Sequence, residues 1–245
     1  MKVIFSGLES SGKSLRLAML AVDLVKRNAS WNRITGLSRP IVSNMAFKPE
    51  FMSWAASKNV ELRYWKDLDE LVKVQEADVL CDEVGNYFDA RGWANLSIDV
   101  RRWLTQGAKT GVEFYGGAQD FAQVDLAFRR LVQSGDLKFI NKIAGSRRPA
   151  KTKPPVKHIW GVCFIRSLDP DAYDEKEKKF EGGVMDFFLP SSYFLIRKKY
   201  CDIFDTNQKI LRSEPPLFRH EVHFCERHLE KGGDGKCNFC KVIHS

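Results

Sequence analysis

The run Gly7-Leu8-Glu9-Ser10-Ser11-Gly12-Lys13-Ser14 constrains this chain more than any other segment, because the apolar stretch Val3-Ile4-Phe5 precedes it and apolar residues at helical spacing follow it. Strand, Gly-rich loop and helix, in that order, are the setting a phosphate-binding loop requires. Glycines let the backbone curl until successive N–H groups face the β- and γ-phosphates of a nucleoside triphosphate, and the helix adds its positive end. Gly7, Ser10, Ser11 and Gly12 form the expected cradle. Lys13 supplies a mobile positive charge, and Ser14 is placed to put its hydroxyl on Mg²⁺. ATP and Mg²⁺ are therefore the expected cofactors. Glu9 brings a carboxylate near phosphates and is expected to point outward.

Helical and strand-like segments then alternate. Residues 15–26 read as a helix broken by Asn28, Ser30, Asn32 and Gly36, and residues 40–44 as a strand. A helix is predicted from near Pro49, a short strand over 60–64, and a helix capped by Asp67 that leads into a strand over 77–83. Helices over 96–106 and 124–133 flank a strand over 112–117, and later strands are read over 158–167 and 192–197. This order predicts an α/β fold, a P-loop NTPase with a mostly parallel sheet flanked by helices.

Val79-Leu80-Cys81-Asp82-Glu83 reads as an apolar strand ending in two carboxylates at the edge where open parallel sheets place their ligands. Asp82 is assigned to the Mg²⁺ shell, and Glu83 to orienting or deprotonating an attacking water. Gln119 follows the strand over 112–117 and is read either as a γ-phosphate sensor and water-positioning group or as a solvent-facing turn residue. Arg129 and Arg130 on one helix, and Arg101 and Arg102 on an earlier one, are candidates for an arginine finger across a subunit interface; solvated helix faces are the alternative.

The chain has 245 residues, is 44% hydrophobic and carries a formal charge of +8, enough for a sizeable core and a bias towards polyanionic partners. The most apolar late stretch, 184–196, is interrupted by Asp186 and Pro190 and is too short to cross a bilayer. No basic leader precedes the phosphate loop, so a signal peptide is not expected. Three of the six cysteines crowd the end of the chain: Cys225 and His228, then Cys237 and Cys240, are separated by a segment with three glycines. Two ligand pairs in this arrangement suit a closed, structural Zn²⁺ site in a reducing compartment. His220, His223 and His244 lie nearby as alternative ligands. Domain boundaries are set at 1–212 for the ATPase domain and 213–245 for a small zinc-binding module. Within the first, residues 146–157 form a basic Pro-rich loop, read as a contact for DNA backbone or as a solvated linker.

The pattern resembles the zonular occludens toxin-like ATPases of filamentous phages, within the FtsK–HerA class. The residues that carry the resemblance are the phosphate loop, the strand ending at Asn44, Val79 to Glu83 and Gln106 to Gly111. It continues through Gln119, Val124-Asp125, Arg129 to Val132, and a closing strand over 200–206. The resemblance implies a ring-forming homo-oligomeric ATPase that packages or exports a phage or plasmid DNA genome, with Gln119 as sensor. Filamentous-phage members usually carry a transmembrane helix after the ATPase domain, and the segment expected to form a zinc module stands in its place here. Packaging into a capsid, or docking to a membrane assembly protein, therefore becomes the expectation, with the protein in the host cytoplasm, peripheral at the inner membrane or incorporated in the virion. Two other classes remain open: a nucleotide-switched assembly module, and a P-loop kinase acting on a small acceptor.

Overall fold

The computed structural model describes residues 1–89, 96–107, 109–133, 136–145, 160–168, 173–174, 179–180 and 192–204. Eight strands form one sheet in the order β10-β7-β6-β1-β5-β4-β2-β3. At its centre are β1 (Lys2–Ser6), β4 (Asp78–Cys81) and β5 (Glu113–Ala118), with β2 (Ile41–Ser43) and β3 (Leu62–Tyr64) completing one side. These five and β6 (Leu137–Gly145) pair in parallel. Beyond β6, β7 (Trp160–Leu168) and β10 (Ser192–Arg197) add antiparallel strands. A separate two-residue pair joins β8 (Tyr173–Asp174) to β9 (Lys179–Phe180).

Side-chain alternation along the central strands divides the core in two. Val3 and Phe5 of β1, Leu80 of β4 and Tyr115 of β5 face α1 (Lys13–Thr35), which buries Leu17, Ala18, Ala21, Leu24 and Val25 against them. Ile4, Val79, Cys81 and Phe114 face the other way. They pack with Trp65, Leu71 of α3 (Leu68–Leu71), Trp103 and Leu104 of α4 (Ile98–Gln106), and Phe128 of α5 (Leu126–Arg129). Each such large apolar side chain contributes roughly 1.5–3 kcal/mol when fully buried. On the α1 side, α2 (Pro49–Ser57) closes the layer through Phe51, Met52 and Ala55, with Pro49 opening its first turn.

Three expectations change. The first helix does not stop near Lys26; it runs to Thr35 and ends at Gly36, whose φ of 70° forms a left-handed cap. Asn28 and Asn32, read as breakers, are buried within it because their amides bond outward: Asn28 to Asp78 and the Arg39 carbonyl, Asn32 to the Asn59 carbonyl. Tertiary hydrogen bonds override the weak local preference of asparagine. The helix expected over 124–133 is only α5; Phe121–Gln123 form a 3₁₀ turn before it, and Asp125 caps it by accepting from the Ala127 N–H. The closing strand expected over 200–206 is replaced, in its described part, by the end of α6 (Lys198–Cys201) and a single antiparallel bridge between Phe204 and Phe47. β6 carries no counterpart in the sequence reading. The basic loop 146–157 and the module 213–245 lie outside the described residues.

Candidate functional site

The phosphate-loop residues leave β1 at Ser6 and enter α1 at Lys13, at the C-terminal edge of the parallel strands. Gly7 approaches β6 so closely that a Cβ there would collide with the Ile140 carbonyl oxygen. Gly12 adopts φ 104°, and Ser10 takes a left-handed φ of 60° although it is not glycine. The Ser11 N–H closes the loop on the Leu8 carbonyl at 3.1 Å. Leu8, Glu9 and Ser10 are exposed, so Glu9 does point outward.

The start of α1 is chemically open. Helices α3, α4 and α5 begin under the side chains of Asp67, Ser97 and Asp125, which accept first-turn N–H groups. Helix α1 has Gly12 at its cap, no capping side-chain bond and no acidic residue in its first turn. Its first amides and the helix dipole are left to an anion. Lys13 folds back, donating from Nζ to the carbonyls of Gly7 at 2.6 Å and Leu8 at 2.9 Å. Burial lowers its pKa, while Glu83, Asp82 and Glu9 pull it upward.

Asp82 and Glu83 follow β4 directly, as expected, and β4 lies two strands from β1. Ser14 Oγ donates to Asp82 Oδ2 at 2.8 Å, across 68 residues of sequence. The other oxygen, Asp82 Oδ1, is buried and has no hydrogen-bond partner among the described residues; Ser11 Oγ shares that condition. Burial raises the Asp82 pKa, opposed by the Ser14 bond and the Lys13 charge and reinforced by Glu83. A hydroxyl and a carboxylate converging beside an open helix start, with one carboxylate oxygen unclaimed, form the hard-oxygen donor set that Mg²⁺ takes. The residues present therefore fit the metal: Ser14 and Asp82 would hold it, and it would neutralise charge on the β- and γ-phosphates.

Glu83 turns the chain with φ 57° and ψ 62°. Its Oε1 accepts from Gln119 Nε2 at 3.2 Å, so the structure joins two residues that the sequence could only place on separate strand ends. Arg129 lies over the Phe121 ring at 5.8 Å on α5, and Arg130 is exposed beside it. Arg102 is exposed on α4 with Asp99 3.8 Å away. The Cys225, His228, Cys237 and Cys240 set lies outside the described residues, and among the described ones no group of three or more His, Cys, Asp or Glu is placed to hold a metal.

The sequence reading missed three residues that shape this site. Asn44, at the end of β2, brackets the Asp82 main chain with its amide. Gly117 leaves space beside Asp82. Cys163 of β7 donates its thiol to the Ser11 carbonyl at 3.3 Å and, with Phe194, backs Gly12; burial pushes that thiol up to about 11. A polar residue ending the strand next to the carboxylate strand was the available signal for Asn44. Nothing local marks Cys163, which reaches the loop only through the antiparallel extension of the sheet.

No family model and no curated protein sequence matches the chain. Among solved structures, it is similar to the N-terminal domain of zonular occludens toxin from Neisseria meningitidis, with 20% identity and a TM-score of 0.48 over 84% of this chain and 100% of that one. It is also similar to the genome packaging NTPase B204 from Sulfolobus turreted icosahedral virus 2. The complex of that protein with AMPPCP gives 14% identity and a TM-score of 0.41 over 74% of this chain and 95% of that one. Its AMP complex gives 12% identity and a TM-score of 0.42 over the same shares. Among the described residues no helix is long and apolar enough to cross a membrane.

Proposed function

We propose that this chain is a Mg²⁺-dependent ATPase that converts ATP hydrolysis into DNA movement during virion assembly. The observation that carries the enzymatic part is the junction of Ser14 with Asp82 at 2.8 Å beside an uncapped helix start, with Glu83 and Gln119 paired next to it. In this reading Gly7, Ser10, Ser11 and Gly12 receive the triphosphate through the loop. Lys13 leaves the Gly7 and Leu8 carbonyls for the β- and γ-phosphates, and Ser14 and Asp82 hold Mg²⁺. Glu83 takes a proton from the attacking water, and Gln119 orients that carboxylate and senses the γ-phosphate. The paired Glu83 and Gln119 support water as acceptor over a small kinase substrate, and phosphate transfer to such an acceptor would count against this reading.

The DNA part rests on the motif resemblance and on the formal charge of +8. It includes assembly as a homo-oligomeric ring, an arginine from Arg129 or Arg130 reaching the neighbouring subunit, and docking to a capsid or membrane assembly protein. The closing Cys225, His228, Cys237 and Cys240 set is proposed to hold one structural Zn²⁺, which metal analysis of the purified full chain tests. The deciding experiment is ATP hydrolysis with and without single- or double-stranded DNA, with oligomeric state measured alongside. DNA-stimulated turnover that disappears in Lys13→Ala and Glu83→Gln supports the motor. Nucleotide binding without DNA-responsive hydrolysis favours a nucleotide-switched assembly module.

A further inference from the structure

Asp82 sits just where β4 loses its neighbour. The β2–β4 register runs Ile41 to Asp78, Val42 to Val79 and Ser43 to Leu80, and the Asn44 N–H still donates to the Leu80 carbonyl at 3.3 Å. There β2 turns: Ser43 Oγ accepts from the Met45 N–H at 3.0 Å, and Met45 enters the core. No backbone of β2 is left to pair Asp82. The side chain of Asn44 does so instead. Its Oδ1 accepts from the Asp82 N–H at 2.7 Å, and its Nδ2 donates to the Asp82 carbonyl at 2.9 Å. One primary amide thus serves as a further strand residue would, satisfying a donor and an acceptor at once.

Those two bonds fix the peptide planes on both sides of Asp82. The first aims the carboxylate whose Oδ2 takes the Ser14 hydroxyl and whose Oδ1 is unclaimed. The second is the plane from which Glu83 departs at φ 57°, a conformation that non-glycine residues adopt only when their surroundings hold them there. Asn44 is only 8% exposed, so its amide cannot exchange these partners freely for water.

We propose that Asn44 is the positioning residue of this site. It acts through the Asp82 main chain to aim Asp82 Oδ1 at Mg²⁺ and Glu83 at the attacking water, and touches neither. This rests on the ATP and Mg²⁺ reading above.

The test uses the full chain with Mn²⁺ as probe and a non-hydrolysable ATP analogue, bound metal being read by electron paramagnetic resonance. Asn44→Ala is expected to weaken Mn²⁺ binding by about 10–100-fold, the range for residues that orient metal ligands. Binding of a fluorescent ATP in EDTA is expected to stay at the wild-type value. Asn44→Asp keeps an acceptor for the Asp82 N–H but sets an oxygen against the Asp82 carbonyl; it is expected to fall between, and it carries the test if the alanine variant does not fold. Wild-type Mn²⁺ affinity in either folded variant, whatever the change in Tm, overturns the proposal and leaves Asn44 a filler of backbone bonds. Ser14→Ala and Asp82→Ala are the controls. If they too bind Mn²⁺ like wild type, the Mg²⁺ reading itself falls, and the proposal with it; if they weaken binding and the Asn44 variants do not, only the role of Asn44 is lost.

Discussion

Gln119 Nε2 donates to Glu83 Oε1 at 3.2 Å, tying the residue that follows β5 to the residue that follows Asp82. The bond occupies one carboxylate oxygen and leaves the other for a proton. Glu83→Gln removes the proposed base while keeping shape, and is expected to lower ATP turnover by about 10²–10⁴-fold with ATP binding retained. Gln119→Ala keeps the base but frees it to rotate, so its loss is expected to be smaller and confined to kcat. Single-turnover phosphate release separates the two. Equal rates for Gln119→Ala and wild type would remove Gln119 from the mechanism.

Adjacent glycines in β5 divide fold from site. A Cβ on Gly116 would run into Val84 Cγ2 and stand 2.9 Å from Ile4 Cδ1, inside the second core. Gly116→Ala is therefore expected to cost about 1–3 kcal/mol of stability through overpacking. A Cβ on Gly117 faces the other way and meets Asp82 Oδ1 at 3.1 Å and Leu17 Cδ1 at 3.4 Å. Gly117→Ala is expected to weaken Mn²⁺ binding with the smaller change in denaturation midpoint. Urea melts and metal titrations on both variants check the split, and the reverse order of effects refutes it.

The raised pKa of Asp82 has a definite sign in stability. Its folded value lies above the unfolded value near 3.8, chiefly because the carboxylate is buried. Between those two values the folded state holds more protons, so stability falls as pH rises through the window and the full penalty is present above it. Asp82→Asn removes the charge, keeps an acceptor for Ser14, and is expected to raise the Tm of the metal-free protein at neutral pH. The gain should shrink as pH falls towards the unfolded value. Calorimetry across pH checks this; a gain that grows on acidification contradicts it. Metal-dependent turnover in the same variant is expected to be lost, the exchange of stability for binding that the proposed role of Asp82 predicts.

Most of this site was legible because its residues are contiguous. Gly7 to Ser14 and Asp82-Glu83 reveal their placement at the strand ends through spacing and through the apolar strands that precede them. What escaped depends on neighbours distant in sequence. Asn44 could be placed at a strand end, but only the sheet order sets that end beside Asp82. The length of α1 was hidden for the same reason: Asn28 and Asn32 disfavour a helix locally, and their partners Asp78 and Asn59 come from elsewhere. β6 and the single bridge at Phe204 are likewise properties of the assembled sheet.

Asp78 opens β4 at the end opposite Asp82, and its side chain is wholly buried. It accepts from Arg27, from Asn28 Nδ2 at 2.7 Å and from Arg39 at 3.0 and 3.3 Å, so one carboxylate pins both α1 and the chain entering β2 to the sheet. Removing it takes the buried carboxylate from Arg39, only 15% exposed, which keeps the Gly111 and Ala77 carbonyls and Glu76 at 3.8 Å, while Arg27, 44% exposed, keeps Glu113 and can turn to water. Asp78→Ala is expected to cost about 3–5 kcal/mol, the usual loss when one partner of a buried ion pair is deleted. Asn28→Ala, which forfeits bonds to Asp78 and the Arg39 carbonyl, is expected to cost about 1–3 kcal/mol. Neither residue reaches the phosphate loop: β4 puts about 13 Å between Asp78 and Asp82 at the usual rise per residue. Turnover per folded molecule should therefore stay at the wild-type value while urea midpoints fall in the order Asn28→Ala, then Asp78→Ala. Unchanged midpoints, or turnover lost in molecules that remain folded, would show that this network is not the clamp described.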